Sequence, residues 1–460
     1  MTASGGQPAS KQQQECAENE KVRRMRKSMG KQLDKKIYDN FVMILKDELV
    51  PALGCTEPIA IAYAAAKARE VLGQMPESME MCCSGNIIKN VMGVTVPNSN
   101  GLRGIDVAAT LGVVGGDASR ELEVLESVTP EDVERTKELV KNGFCRCTLQ
   151  EGVENLYIVA KVFGSGHSAE VTIINRHTLI TKIVRDGEII YEHKISDSAL
   201  EKGDKSLLNV RDILTFADTV ALEDIEEVIG DQIEKNTAIS QEGVIHPYGA
   251  QIGRTLLDVF GNDVRTRARA KAAAGSDARM GGCALPVVIN SGSGNQGMTV
   301  SLPVIEYAKE YNATKDQLYR ALVVANLISI HQKKYIGSLS AYCGAVSAAC
   351  GAGAAITYLR GGTYEEVGLT IINTIGNVGG IVCDGAKSSC AAKIASAVDA
   401  AILAHYMAMK HVSFQPGEGI IQEDLEDTIK SMGYIGRVGM KRTDTEILNI
   451  MIDRVDVHQL

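Results

Sequence analysis

Leu156-Tyr-Ile-Val-Ala-Lys-Val162, Ala169-Glu-Val-Thr-Ile-Ile174, Leu179-Ile-Thr-Lys-Ile-Val184 and Ile189-Ile-Tyr191 are four short runs rich in β-branched and aromatic residues. Turn signals separate several of them, at Gly164-Ser-Gly166 and at Asp186-Gly187. Runs of this length between such turns are the pattern of strands joined by hairpins, so residues 145–194 are expected to form an antiparallel sheet. Beyond Asp204 the pattern turns almost wholly helical, with Gly and Pro breaks. The fold class expected is therefore α+β. A polar, disordered tail at residues 1–36 precedes an α/β unit over 37–204 that carries the sheet. A mainly helical, glycine-rich unit follows over 205–460. No internal repeat at a fixed period is present.

Upstream of the sheet, Ile37-Tyr38 and Phe41-Val42 lead to Ile44-Leu45 with the spacing of an amphipathic helix. Pro51-Ala-Leu-Gly54 breaks it. A second helix is expected to open at Pro58, with Glu57 as its cap and Cys55 just outside its N-terminus. Thr129-Pro130-Glu131-Asp132 reads as a third start, a capping Thr followed by Pro and two acids.

The chain has 460 residues, more than one ordinary core, and 45% of them are hydrophobic against 23% charged. With 6 Phe, no Trp and 45 Gly, the core must come from small and aliphatic side chains packed closely. A net charge of −9 and the lack of a basic, aromatic-laced stripe argue against nucleic acid and against an anionic membrane surface as partners. Tyr335 to Leu359 carries no charge over a length that can span a bilayer. Its Gly, Ala and Ser content suits tight packing inside a protein better, so no membrane span is expected. Residues 1–36 contain no apolar segment of the signal-peptide kind. Lys21 to Arg26 is balanced by Glu15, Glu18 and Glu20, unlike an organellar transit peptide. An odd count of 11 cysteines in a long chain does not suit a disulfide framework. A reducing cytoplasm with metal-binding or catalytic thiols is the expectation.

Three places offer chemistry. Cys343 and Cys350 lie seven apart in a helix-like stretch, ~10 Å along its axis, which is awkward for one compact cluster. Cys383 and Cys390 have the same spacing, but Asp384-Gly385 permits a turn that brings them together. Cys343, Cys383 and Cys390 are the preferred ligand trio, and three thiolates around a four-iron cluster leave one iron open. Each of them also reads as a small buried hydrophobe. Cys55, aimed at a helix N-terminus, reads as an activated thiol or as a structural one opposed by Glu57. The turn from Asn290 to Gly297 reads as a plain turn or as a receiver for a carboxylate or phosphate, and it is not a P-loop. His246, His331, Cys82, Cys83, Cys145 and Cys147 receive no role.

Gly54-Cys-Thr-Glu-Pro58, the Asn290-to-Gly297 turn, the segment from Ser340 to Cys350 and Cys383-Asp-Gly-x4-Cys390 together resemble the L-cysteine desulfidase family. The catalytic chain of iron–sulfur L-serine dehydratases is a more distant likeness. The likeness runs from about residue 40 to about residue 440. It implies a carbon–sulfur lyase carrying a [4Fe–4S] cluster on Cys343, Cys383 and Cys390, with Cys55 as proton acceptor. L-Cysteine is then eliminated to hydrogen sulfide, pyruvate and ammonia, with Thr56, Asn290, Ser291 and Ser293 holding the substrate. Where the serine dehydratases carry a Ser/His/Thr motif, this chain has Cys55-Thr56, which favours the desulfidase branch. The alternatives are an iron–sulfur L-serine ammonia-lyase and a non-catalytic iron–sulfur or redox-sensing protein, in which Cys145 and Cys147 form a switch. A pyridoxal-phosphate lyase lacks a convincing lysine motif, although Lys387 and Lys393 lie near the cysteines. A small amino-acid substrate is the partner implied, and a homo-oligomer is compatible with the sequence.

Overall fold

A computed structural model describes residues 33–193, 203–337 and 340–455. The disordered tail expected at residues 1–36 lies outside the described residues as far as position 32. Residues just after it open a helix, Lys35–Glu48, capped by the Asp34 carboxylate on the backbone N–H of Lys36.

The strands are β1 (Pro51–Leu53), β2 (Ser78–Ser84), β3 (Cys145–Gln150), β4 (Tyr157–Gly164), β5 (His167–Ile174), β6 (Ile180–Arg185), β7 (Glu188–Glu192) and β8 (Pro286–Val288). Six of them form one sheet in the order β3-β2-β4-β5-β6-β7. Every pairing in it is antiparallel except β2 with β3, which is parallel. The two hairpin turns fall at the glycines. Ser165 and Gly166, then Asp186 and Gly187, all take positive φ, the backbone that matches a two-residue loop to the strand twist. Along β4, Ile158, Ala160 and Val162 are fully buried while their neighbours are less so, giving the sheet one core face. That face packs on the helices Thr56–Leu72 and Ile105–Gly115. The two helices approach so closely at Gly112 that a Cβ there would stand 2.3 Å from the Ala62 carbonyl oxygen.

The second core is helical and runs from Leu208 to Met432, with the first helix added to it. Phe41 meets Phe216 edge-on at 5.5 Å between ring centres, so Lys35–Glu48 docks on the helical part rather than on the sheet. Helix Gly344–Leu359 is buried along nearly its whole length. A Cβ at Gly351 would lie 2.4 Å from the Ala325 carbonyl, so its small residues serve helix-on-helix packing. No described helix is long and apolar enough to cross a membrane.

The two cores are stitched together at β1. Pro51-Ala-Leu53 is a strand, not only a break, and pairs antiparallel with β8, Pro51 opposite Val288 and Leu53 opposite Pro286. The Ile289 N–H continues the ladder by donating to the Val50 carbonyl at 3.0 Å. Two segments more than two hundred positions apart are thereby held in register, and each leads directly into a motif: Gly54-Cys55-Thr56 after β1, and Asn290 to Gly297 after β8.

Candidate functional site

Cys343 caps the helix Gly344–Leu359, and Cys390 is the first residue of the helix Cys390–Ala408. A short antiparallel bridge joins Tyr342 to Val382. Through it the Cys343 N–H donates to the Ile381 carbonyl at 2.9 Å, and the Cys383 N–H to the Ala341 carbonyl at 2.7 Å. The thiols of Cys343 and Cys383 act on one another, Cys343 as the donor. The turn anticipated after Cys383 is present at Gly385, φ +95°, where a Cβ would stand 2.2 Å from the Lys89 carbonyl. Cys390 Sγ lies 3.7 Å from the Gly385 carbonyl oxygen, on the same turn. Cys350 is buried inside its helix and does not reach these sulfurs.

Lysines surround the trio. Lys89 is buried, reaches the Cys383 carbonyl at 3.4 Å and pairs with Asp444. Lys393 donates to the Val382 carbonyl at 2.8 Å and pairs with Asp384. Lys333 is buried on the same cavity wall, its ammonium pushed down to about 8 by burial and held up in part by Cys383 and Cys343. The hydrogen bond from Cys343, then the charges of Lys89 and Lys393, draw Cys383 down to about 6. Cys343 is held up as the partner that keeps the proton. Among the described residues no three Cys, His, Asp or Glu side chains converge as they would on a single metal ion. A four-iron cluster asks for something different, one thiolate on each of several irons.

Across the cavity stands Cys55. The helix expected to open at Pro58 starts at Thr56, so Cys55 itself is the cap residue, its carbonyl accepting from the Ile59 N–H at 3.3 Å. Pro58 is accommodated because a first-turn residue needs no N–H partner inside the helix. Cys55 Sγ donates to Glu57 Oε2 at 3.1 Å, and Thr56 Oγ1 donates to the same oxygen at 3.1 Å. Thr56 is also 3.1 Å from the Gly292 carbonyl, which ties this turn to the one after β8. Burial, then the charge of Glu57, pushes the Cys55 thiol well up, against the pull of Arg279. The helix end alone suggested an easily ionised thiol; here desolvation and a neighbouring carboxylate outweigh it, and at rest the thiol keeps its proton.

The turn after β8 divides its residues between two duties. Ser291 (φ +51°), Gly292 and Ser293 line the cavity. Asn290 is fully buried behind them, its Nδ2 donating to Asn326 Oδ1 at 2.9 Å and its Oδ1 accepting from Ser291 at 2.9 Å and Ser329 at 3.2 Å. Its amide is spent on holding the turn. His331 bonds Glu426 Oε2 at 2.6 Å, and neither it nor the exposed His246 lines the cavity.

Several cavity residues carry no motif in the sequence. His177 arrives on the loop between β5 and β6, with its ring facing Gly292 and its Nε2 out of solvent and without a hydrogen-bond partner among the described residues. Burial lowers its pKa, with Glu57 acting upward and Arg279 downward, so it is a neutral imidazole. Arg279 comes from the helix Val264–Met280, and Asn295 and Gln296 from the first turn of Gly294–Glu310. In the sequence Arg279 is marked by no motif, only by closing the run Ala272-Ala-Ala-Gly-Ser-Asp-Ala278. The cavity these side chains enclose measures about 800 Å³.

An α+β chain with a thiol-lined cavity that mixes apolar and polar groups where its two cores meet has the build of a small-molecule site. The family profile of the serine dehydratase alpha chain matches residues 119–449, and the chain belongs to that family. Among its relatives, a UPF0597 protein of Lachnoclostridium phytofermentans is 53% identical over 417 residues, covering 91% of this chain and 100% of the relative. One from Desulfitobacterium hafniense is 50% identical over 418 residues, covering 91% and 97%. Another, from Aeromonas salmonicida, is 40% identical over 422 residues, covering 90% and 96%.

Proposed function

We propose that this chain is an L-cysteine desulfidase, a lyase of the serine dehydratase alpha-chain family acting on a free amino acid. The observation that carries the reading is that Cys55 and the trio Cys343, Cys383 and Cys390 line one cavity. The trio fits a [4Fe–4S] cluster: three soft thiol donors on one cavity wall, beside Lys89, Lys333 and Lys393 to offset thiolate charge. Bound there by three sulfurs, the cluster supplies a Lewis-acidic iron with an open position.

The chain's own residues handle protons and orientation. Glu57, 3.1 Å from Cys55 Sγ, is placed to take the thiol proton, and Arg279 favours the thiolate that results. The thiolate removes the Cα proton as the β-sulfur departs, and the proton held by Glu57 passes to the departing sulfur. Cys55 is then a thiol and Glu57 a carboxylate, as at the start. Aminoacrylate released from the site tautomerises to an imine and hydrolyses to pyruvate and ammonia. Ser291, Gly292 and Ser293 shape the floor of the cavity, with Thr56 and Asn290 behind them fixing the two turns.

The test is product release from L-cysteine and L-serine in parallel, with the protein reconstituted with iron and sulfide under anaerobic conditions. Equimolar sulfide and pyruvate from cysteine, with little pyruvate from serine, is the expected result. The family match supports a second reading, an L-serine ammonia-lyase using the same residues. Pyruvate from serine alone would establish that one and reject the first.

A further inference from the structure

Arg279 is 2% exposed, yet among the described residues no carboxylate forms an ion pair with it. Its Nε donates to the Gly54 carbonyl at 2.8 Å, which fixes the guanidinium next to Cys55 and leaves its terminal N–H groups without a described partner. A buried cation lacking an anion is costly, and a guanidinium presents a fork matched to a carboxylate. Opposite in character are the Asn295 Oδ1 and Gln296 Oε1, buried amide oxygens that find no donor among the described residues. All three side chains line the cavity of the cysteines.

Glycines make room for them. A Cβ at Gly294 would stand 2.4 Å from Arg279 Nε, and one at Gly344 would stand 2.5 Å from Gln296 Cδ. Gly294 immediately precedes Asn295 and Gln296, and Gly344 immediately follows Cys343. A cationic fork and a pair of carbonyl acceptors thus line the same cavity as Cys55 and the thiol trio.

We infer that Arg279, Asn295 and Gln296 form a recognition site for the head group of a free α-amino acid, the guanidinium taking the carboxylate and the amide oxygens the ammonium. The inference rests on the lyase reading for the chemistry after binding, though not for binding itself. With the head group held there, the Cα hydrogen is presented toward Cys55 and the side chain toward Cys343, Cys383 and Cys390. Ligands lacking either charge leave buried polar groups unmatched and are rejected. This assigns the carboxylate to Arg279 rather than to the side chain of Asn290.

Calorimetric titration of the full chain, purified anaerobically, tests it with three ligands that cannot eliminate: L-alanine, L-alaninamide and propionate. The wild type is expected to bind L-alanine on the order of 100-fold or more tighter than either truncated ligand. Arg279→Gln is expected to erase the preference over L-alaninamide, and Arg279→Lys to restore part of it. Gln296→Leu, which leaves Arg279 in place, is expected to weaken the preference over propionate while keeping that over L-alaninamide. Equal binding of L-alanine and L-alaninamide by the wild type, or no binding of either, would overturn the inference. So would normal KM for L-cysteine in folded Arg279→Gln, an outcome that leaves the lyase reading intact. Arg279-dependent binding of L-alanine without product from cysteine or serine would instead sustain the site and sink the lyase reading.

Discussion

Two groups of cysteines in this molecule are brought together by the same device and have opposite surroundings. In the sheet, parallel pairing of β2 with β3 sets Cys145 opposite Met79 and Cys147 opposite Met81, two positions from Cys83, and the Cys83 and Cys147 thiols act on one another. At the cavity, the antiparallel bridge from Tyr342 to Val382 puts Cys343 and Cys383 one residue beyond it on either segment, where their thiols act on one another. In the sheet, Cys145 and Cys147 feel the negative charge of Asp106, and no lysine or arginine stands among the leading influences on Cys83, Cys145 or Cys147. The cavity thiols sit among Lys89, Lys333, Lys387 and Lys393. Proximity of thiols is therefore common to both, and what sets the candidate ligands apart from the sheet cluster is the charge available to support thiolates.

The largest effects expected test that separation directly. Cys383→Ser should abolish iron retention and turnover, by about 1,000-fold or more. Cys147→Ser should leave both within about twofold, measured by iron content and sulfide release. Equal losses from the two would erase the distinction. Cys55→Ser should keep the iron and reduce turnover by about 100-fold to 10,000-fold, the usual range for removing a proton acceptor. Next, Lys89→Met leaves the partly exposed Asp444 carboxylate without its ion-pair partner and removes a charge from beside Cys383. A loss of about 1–3 kcal/mol in denaturant stability is expected, with weaker iron retention.

The pH dependence sharpens the contrast at lower amplitude. Burial, then neighbouring Cys147 and Asp106, pushes Cys145 up to about 12. In the unfolded chain a thiol ionises near 8.5. The folded state is unaffected below that value and loses stability as pH rises from there toward about 12, because the unfolded chain releases its proton first. Melting curves of wild type and Cys145→Ser should diverge only above about pH 8.5. In Glu57→Gln the pH midpoint for alkylation of Cys55 should move down, since the carboxylate is one of the groups holding the thiol up. An unchanged midpoint would mean that burial alone sets it. Smallest of all, Lys161→Ala removes an exposed ion pair to Glu170 on the sheet at 3.9 Å. It should change stability by less than about 0.5 kcal/mol.

What could be read from the sequence followed from local patterns. The runs from Leu156 to Tyr191 declare their strands through alternation and glycine turns, and the capping Thr129 declares its helix, with Asp132 completing the box. Pairing across long separations left no such trace. β1 is three residues long and begins with Pro, and its partner β8 lies far along the chain, so Pro51 to Leu53 read only as a break. The parallel pairing of β2 with β3 was likewise invisible, because Ser78-Met-Glu-Met-Cys-Cys-Ser84 contains no β-branched residue to mark a strand. The same divide runs through the site. Cys55 and the trio stand in recognisable motifs, whereas His177 and Arg279 acquire their setting only from the fold. The direction of the Cys55 shift was also beyond reach, since a helix end is visible in a sequence and full burial against Glu57 is not.

The most direct test of the account is iron content measured alongside sulfide and pyruvate release from L-cysteine, in wild type, Cys55→Ser and Cys383→Ser reconstituted anaerobically. The account predicts equimolar products from the wild type, retained iron without product from Cys55→Ser, and neither iron nor product from Cys383→Ser. Full turnover by Cys383→Ser, or wild-type protein that binds iron at the trio and turns over neither cysteine nor serine, would contradict it.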